Sequence, residues 1–196
     1  RPCELDKIKT IAKKHNLKII QDSCHAIQST FKGNHIISYG DICTFSMHPL
    51  KNLNIWGDGG VIVTNNSDYA DKIRLLRNHG LKNRDVTEMF AYNSRLDTIQ
   101  AAVANYALDK LEHITDSRIR NSHYLDKELQ HIEQIQFPQR DPSQKEVFHL
   151  YQFCCERRDE LQSYLIEQGI DAKVHYPIPM HLQPAASDWG YQRGDF

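Results

Sequence analysis

Apolar side chains recur at two spacings along this chain, and each spacing marks a kind of element. Leu5, Ile8, Ile11 and Ala12 fall on one face of a helix over residues 4–15, and Asn16 is suited to end it. Short apolar runs at 17–21, 42–45 and 61–64 predict buried strands, with a further short strand at 36–39. Phe31-Lys-Gly-Asn34 reads as a turn in which Gly33 is free to take positive φ. Ser67 is placed to cap a helix over 68–79, with Ile73 and Leu76 inward and Gly80 at its C-terminal end. Residues 82–92 are polar and irregular.

From 96 to about 132 there is neither glycine nor proline, and Ile99, Ala102, Val103, Tyr106, Leu111 and Ile114 recur near helical spacing. One long helix or two abutting helices are expected there. Beyond a loop at Asp141-Pro-Ser, residues 147–155 read as a strand, 159–168 as a capped helix ending at Gly169, and 170–175 as another strand. Helices alternating with strands make this an α/β chain, and its opening helix-then-strand unit fits a βαβ crossover whose first strand is absent. The later strand, helix and strand with short links suit a small α+β domain.

Composition narrows the function without naming it. The 196 residues can bury a real core, and 40% hydrophobic with 25% charged residues is ordinary for a soluble globular protein. A formal net charge of −1, from 24 basic and 25 acidic side chains, provides no basic field for nucleic acid. No apolar run is long enough to span a bilayer and no charged-then-apolar leader stands at Arg1, so no membrane partner and a cytoplasmic location are expected. The five cysteines include no Cys-x-x-Cys pair, and the eleven histidines show no ligand spacing, so no metal site is expected. Cys24, Cys43 and the Cys154–Cys155 pair sit in apolar runs and read as buried free thiols.

The chemistry concentrates between Ser46 and Gly60. Lys51 stands there among mostly apolar and uncharged neighbours, between two predicted strands. Partial burial favours the neutral amine, which is a nucleophile able to form a Schiff base with an aldehyde. A lone loop lysine is ordinarily a solvated charge; its company argues otherwise. Asp22 and His25 follow one strand-like run and Ser46 ends another. A carboxylate, an imidazole, a hydroxyl and an amine would then leave neighbouring strand ends on one side, where open parallel α/β sheets bind ligands.

An ordered set of segments carries a resemblance. Ile20-Gln-Asp-Ser-Cys-His-Ala26, Tyr39-Gly-Asp-Ile-Cys-Thr-Phe-Ser46, His48-Pro-Leu-Lys-Asn-Leu53, Gly57-Asp-Gly-Gly60, Leu76-Arg-Asn-His-Gly80, Tyr92-Asn-Ser-Arg-Leu-Asp97 and the later His175-Tyr-Pro-Ile-Pro-Met-His-Leu-Gln-Pro184 resemble the DegT/DnrJ/EryC1/StrS sugar aminotransferases, of the aspartate aminotransferase fold type. The resemblance implies part of a pyridoxal-phosphate enzyme, truncated at both ends. Residues 1–95 would be part of a large cofactor-binding domain with a mainly parallel sheet and flanking helices. Residues 96–132 would be a connecting helix and 133–196 a small C-terminal α+β domain. Lys51 would be the catalytic lysine that bears pyridoxal 5′-phosphate and moves the substrate proton. Asp22 would face the pyridine nitrogen, His25 the cofactor ring, and Ser46 the phosphate. Asn93 would reach the phosphate in a neighbouring subunit of a homodimer. The implied substrates are a keto or aldehyde sugar, normally nucleotide-linked, and glutamate or glutamine as amino donor. Dehydratases of this fold carry histidine in place of the lysine, so Lys51 favours transamination. The alternative is a catalytically incompetent fragment or a binding or regulatory relative. Trp56 departs from the small residue expected before the Gly-acid-Gly-Gly turn, and neither it nor His48 receives a role.

Overall fold

In a computed structural model that describes residues 1–196, the chain is mixed α/β and divides into two compact units. The first comprises Arg1–Glu133 with Phe137–Phe153, the second Gln134–Gln136 with Cys154–Phe196.

The first unit begins with helix α1 (Leu5–Lys14), which ends as Asn16 turns left-handed at φ 51. Its buried residues are Leu5 and Ala12, whereas Ile8 and Ile11, expected on the same inward face, remain exposed. Strand β1 (Ile20–Asp22) follows, then a hairpin of β2 (Thr30–Phe31) and β3 (Asn34–His35). Lys32 and Gly33 both take positive φ, 50 and 76, as a tight two-residue hairpin requires. The strand expected at 36–39 is instead a turn of 3₁₀ helix, Ile36–Ser38, started by the His35 side chain accepting from the Ile37 N–H.

Strands β4 (Ile42–Ser46) and β5 (Gly60–Val63) complete a three-stranded sheet ordered β1-β4-β5. Only the β1–β4 pair is parallel, with Asp22 opposite Thr44; β5 runs antiparallel, with Gly60 opposite Ser46. The sheet of this chain is therefore mixed, because β4 and β5 are joined by a loop on the same side rather than by a crossover. One face is sealed by Leu5, Phe31, Ile36, Cys43 and Phe45.

Helix α2 (Ser67–Leu76) is capped by Asn66, whose side chain accepts from the Tyr69 N–H at 3.0 Å, one residue before the expected cap. Ile73 and Leu76 are only half-buried. Helix α3 (Thr98–Leu129) is a single helix opened by a capping box of Asp97 and Gln100. Its buried residues are Ala104, Leu111, Thr115 and Ser122; of the expected stripe Leu111 is buried, whereas Ile99 and Tyr106 are exposed. Small residues let Met47, Leu53 and Ile55 pack close against Ala104 and Leu111.

In the second unit β6 (Ile135–Gln136) pairs with a later strand, while in the first β7 (Gln144–Lys145) pairs antiparallel with β2. The strand expected over 147–155 is confined to β8 (Cys154–Cys155), the partner of β6, and Cys154 is exposed rather than buried. The carbonyls of Val147, Phe148 and His149 accept from side chains instead. Helix α4 (Arg158–Glu167) ends at Gly169, φ 80. The strand expected at 170–175 does not form; Gln162 holds that segment by donating to the Ala172 carbonyl at 3.0 Å.

A polar cluster ties the end of α3 to the chain that follows it. Arg140 donates from Nε and Nη2 to the two carboxylate oxygens of Asp126 at 3.0 and 3.1 Å, and from Nη1 to Glu146 at 2.9 Å. Tyr151 donates to the same Asp126 at 2.9 Å. Burial works to raise the Asp126 carboxyl, but the Arg140 and Tyr151 hydrogen bonds outweigh it and hold it below the usual range. Burial and the hydrogen bond to Asp126 push the Tyr151 phenol up to about 12. A depressed carboxyl contributes stability that is present above its unfolded value and lost as pH falls through the folded one. Arg140→Ala is expected to lower the unfolding free energy by about 1–3 kcal/mol at neutral pH. It should also shrink the acid limb of stability, both measured by denaturant unfolding from neutral pH downward. A variant as stable as wild type at neutral pH would show that the cluster is not a tie.

Candidate active site

The C-terminal end of β1 delivers Asp22 and the following turn delivers His25. The Asp22 carboxylate accepts from the Cys24 N–H at 3.0 Å, and the Ser23 N–H donates to the Thr44 carbonyl at 2.9 Å, which extends the β1–β4 pairing past the strand end. Hydrogen bonds from the Cys24 thiol and N–H pull the Asp22 carboxyl below the ordinary value, and His25 and Lys51 lie close enough to add their attraction. The same neighbourhood acts on Cys24, whose thiol is pushed up by burial and by Asp22. Asp22 is therefore an anion at neutral pH, with the Lys51 charge near enough to contribute a little.

Lys51 reaches this place through a closed loop between β4 and β5. The Met47 N–H donates to the Gly59 carbonyl at 2.8 Å and the Ile55 N–H to the Met47 carbonyl at 3.2 Å, closing the base. Within it the Lys51 N–H donates to the His48 carbonyl at 2.8 Å. The Ser46 hydroxyl oxygen accepts from the His48 N–H at 3.3 Å, so its own proton remains to be donated. Lys51 is half-buried; Leu53 and Ile55, just after it, are 5% and 0% exposed. Trp56, at φ 62 and 82% exposed, stands out from the loop rather than in its core. Gly59 is crowded: a Cβ there would meet the terminal methyl groups of Ile55 and Leu96, which would have to shift.

The structure thus brings Asp22, His25, Ser46 and Lys51 to one end of the sheet. Asn93 is held elsewhere. It bridges to Asn78 just beyond α2, the Ser94 N–H donates to the Arg77 carbonyl at 2.8 Å, and no hydrogen bond joins it to the other four. It is exposed, next to Phe90 and Tyr92, which are exposed as well.

Sequence reasoning missed a further layer. The buried Asn52 donates from Nδ2 to the Val147 carbonyl at 2.9 Å, Arg118 donates to the Phe148 and His149 carbonyls at 3.2 Å each, and the His149 ring lies 4.3 Å from that of His25. Asn52 and Val147 are 95 positions apart, and no local pattern signals such a pairing.

The model of the DegT/DnrJ/EryC1/StrS aminotransferase family matches residues 1–196, and the chain belongs to that family. Among its relatives, the erythromycin biosynthesis sensory transduction protein EryC1 of Saccharopolyspora erythraea is 36% identical over 195 residues, covering 100% of this chain and 53% of that protein. The dTDP-3-amino-3,4,6-trideoxy-alpha-D-glucose transaminase of Streptomyces venezuelae is 36% identical over 184 residues, covering 94% of this chain and 48% of that one. The crystal structure of S. venezuelae DesV in complex with a ketimine intermediate superposes with a TM-score of 0.95 at 35% identity, over 100% of this chain and 53% of that one. The chain spans about half the length of the curated relatives it matches.

The crowding at Gly59 makes a direct test of the loop. Gly59→Ala is expected to destabilise by about 1–3 kcal/mol, read as a lower urea midpoint at unchanged m-value. An unshifted midpoint would mean that Ile55 and Leu96 give way freely.

Proposed function

We propose that the protein to which this chain belongs is a pyridoxal-phosphate-dependent aminotransferase. It would convert a keto or aldehyde sugar, nucleotide-linked, into an amino sugar, with glutamate or glutamine as amino donor. The observation that carries this is Lys51 and an ionised Asp22 at the same end of the sheet, in a chain of an aminotransferase family. The nucleotide-sugar reading is supported by the dTDP-sugar in the name of the S. venezuelae transaminase.

The residues present suit the cofactor. An aspartate kept anionic by Cys24 matches a protonated pyridine nitrogen. The His25 imidazole lies on the same turn and can face the ring. The Ser46 hydroxyl, with its proton to donate at a strand end, suits a phosphate. When bound, pyridoxal phosphate supplies the electron sink that stabilises a carbanion at the substrate's reacting carbon. Lys51 would hold the cofactor covalently and, once released, move the proton at that carbon. Asp22 would keep the ring nitrogen charged throughout.

In this reading residues 1–95 belong to a large cofactor-binding domain and 96–132 are its connecting helix; of the small C-terminal domain expected over 133–196, the second compact unit, Gln134–Gln136 with Cys154–Phe196, is the part that stands by itself, while Phe137–Phe153 packs with the first. The protein works as a homodimer in the cytoplasm, with Asn93 reaching the cofactor phosphate of the neighbouring subunit. The exposed Phe90 and Tyr92 beside Asn93 support an interface there, and five free cysteines accord with a reducing compartment. No helix is long and apolar enough to cross a membrane. A regulatory or binding role is the second reading, favoured by the name of the S. erythraea relative, a sensory transduction protein. Turnover of a keto sugar separates the two. The 196-residue chain alone is expected to bind the cofactor weakly and not to turn over.

Lys51→Ala in the full-length protein is expected to abolish transamination together with the visible absorbance of the bound cofactor. Asp22→Asn should keep the fold and slow turnover on the order of a thousandfold, equivalent to about 4 kcal/mol. Full turnover in the first variant, or a wild-type rate in the second, sinks the respective assignment.

The shared site is tested by mixing Asn93→Ala subunits with Lys51→Ala subunits. In a mixed dimer one site carries both lesions and the other neither, so activity should recover on mixing. No recovery, with subunit exchange demonstrated, removes Asn93 from the neighbour's site.

A further inference from the structure

Residues 147–149 are held from three directions, and one of the holds begins next to Lys51. Asn52 is 4% exposed, and its Nδ2 donates to the Val147 carbonyl at 2.9 Å. Arg118 on α3 donates from Nη1 to the Phe148 and His149 carbonyls, each at 3.2 Å. The Arg140 guanidinium lies 4.9 Å from the centre of the Phe148 ring. Between these holds Phe148 takes φ 46, a left-handed conformation that a residue with a Cβ adopts only where its surroundings over-determine it. The same bend sets the His149 ring 4.3 Å from that of His25, inclined by 52°.

The segment therefore touches both halves of the candidate site. Through Asn52 it meets the lysine loop, and through His149 it meets the turn that follows Asp22. Helix α3 is the common base. Leu111 packs with Leu53 and Ile55, and Arg118 lies seven positions further along, two turns on and nearly on the same face. A lysine side chain has a long flexible stem, so the direction of its amine depends on how firmly its backbone is held. At Lys51 the backbone is tied on one side by the His48 carbonyl and on the other by Asn52.

We propose that residues 147–149 form a brace that fixes the direction of Lys51 relative to Asp22 and His25, with Asn52 and Arg118 as its positioning residues. This rests on the aminotransferase reading, in which Lys51 and Asp22 face the reacting groups. Asn52 and Arg118 take no part in proton transfer; they keep the groups that do within reach. Misplacement of a reacting group by about 1 Å can cost on the order of a hundredfold in rate, so a loosened brace acts on kcat.

The test compares the full-length wild type with Asn52→Leu, which keeps shape but removes the donor, and Arg118→Met, which keeps the stem but removes the guanidinium. Amide hydrogen exchange at Lys51 and Ile55, whose N–H groups donate to the His48 and Met47 carbonyls, is measured for each, with thermal midpoint, pyridoxal phosphate affinity, kcat and KM. Exchange at 51 and 55 is expected to quicken by about tenfold or more in both variants. Turnover should fall by roughly a hundredfold, with KM for the sugar changed by no more than about threefold. Unchanged exchange at 51 and 55 overturns the brace, whatever the cofactor result. A kcat loss that merely follows the thermal midpoint across the variants overturns it too. If Asn52→Leu does not fold, Arg118→Met decides alone by the same readouts. Failure of the wild type to take up pyridoxal phosphate at Lys51 would count against the aminotransferase reading, and the exchange data would still judge the brace.

Discussion

Packing of Leu53 and Ile55 against Ala104 and Leu111 is the contact on which the first unit depends. Burying two such side chains stabilises by about 1.5–3 kcal/mol each, and here it does so within four residues of Lys51. The loop that carries the lysine would otherwise be a thirteen-residue excursion between β4 and β5, from 47 to 59, free to sample many directions. Seating its second half on a helix converts it into a fixed platform. The small residues of α3 matter for the same reason, because a bulkier face would lift Ile55 off the helix and break the Met47–Gly59 closure with it.

Two kinds of interaction divide the work around that contact. Apolar packing places the lysine loop and the sheet, and directed polar contacts set the angles. Asp22 is aimed by Cys24, Asn52 by Val147, and residues 148–149 by Arg118. The Asp126–Arg140–Tyr151 cluster is a further directed tie, and its partners are largely withdrawn from water. Electrostatics in the site proper are milder. Asp22 is exposed, so its anionic state follows from hydrogen bonding more than from any buried charge pair.

Much of this was legible in the residue pattern. The long stretch free of glycine and proline is one helix, β4 and β5 lie within a residue of the runs that predict them, and Gly33, Gly80 and Gly169 all take positive φ. Asp22, His25, Ser46 and Lys51 come to one end of the sheet because strand ends are a local signal. What misled was tertiary. The face of α3 that turns inward was expected along Ile99, Tyr106 and Leu111; Leu111 is buried, but the helix otherwise buries Ala104, Thr115 and Ser122, because close approach outweighs side-chain hydrophobicity there. Residues 147–153 look like a strand by composition, but Asn52 and Arg118 take up the carbonyls of 147–149 that a ladder would use. Residues 170–175 have strand-forming residues and no strand to pair with.

The spacing of Leu111 and Arg118 along α3 also limits how such a chain can change its length. Adding one residue between them would swing Arg118 about 100° around the helix axis, away from the carbonyls of 148 and 149, while leaving Leu111 in place under Ile55. Adding seven would bring the guanidinium back to the right side but carry it about 10 Å further along the axis. Descendants of this sequence can therefore exchange side chains on the outer face of α3 with little consequence. Between 111 and 118 the register itself is heritable, and insertions are expected to collect in the surface loops instead.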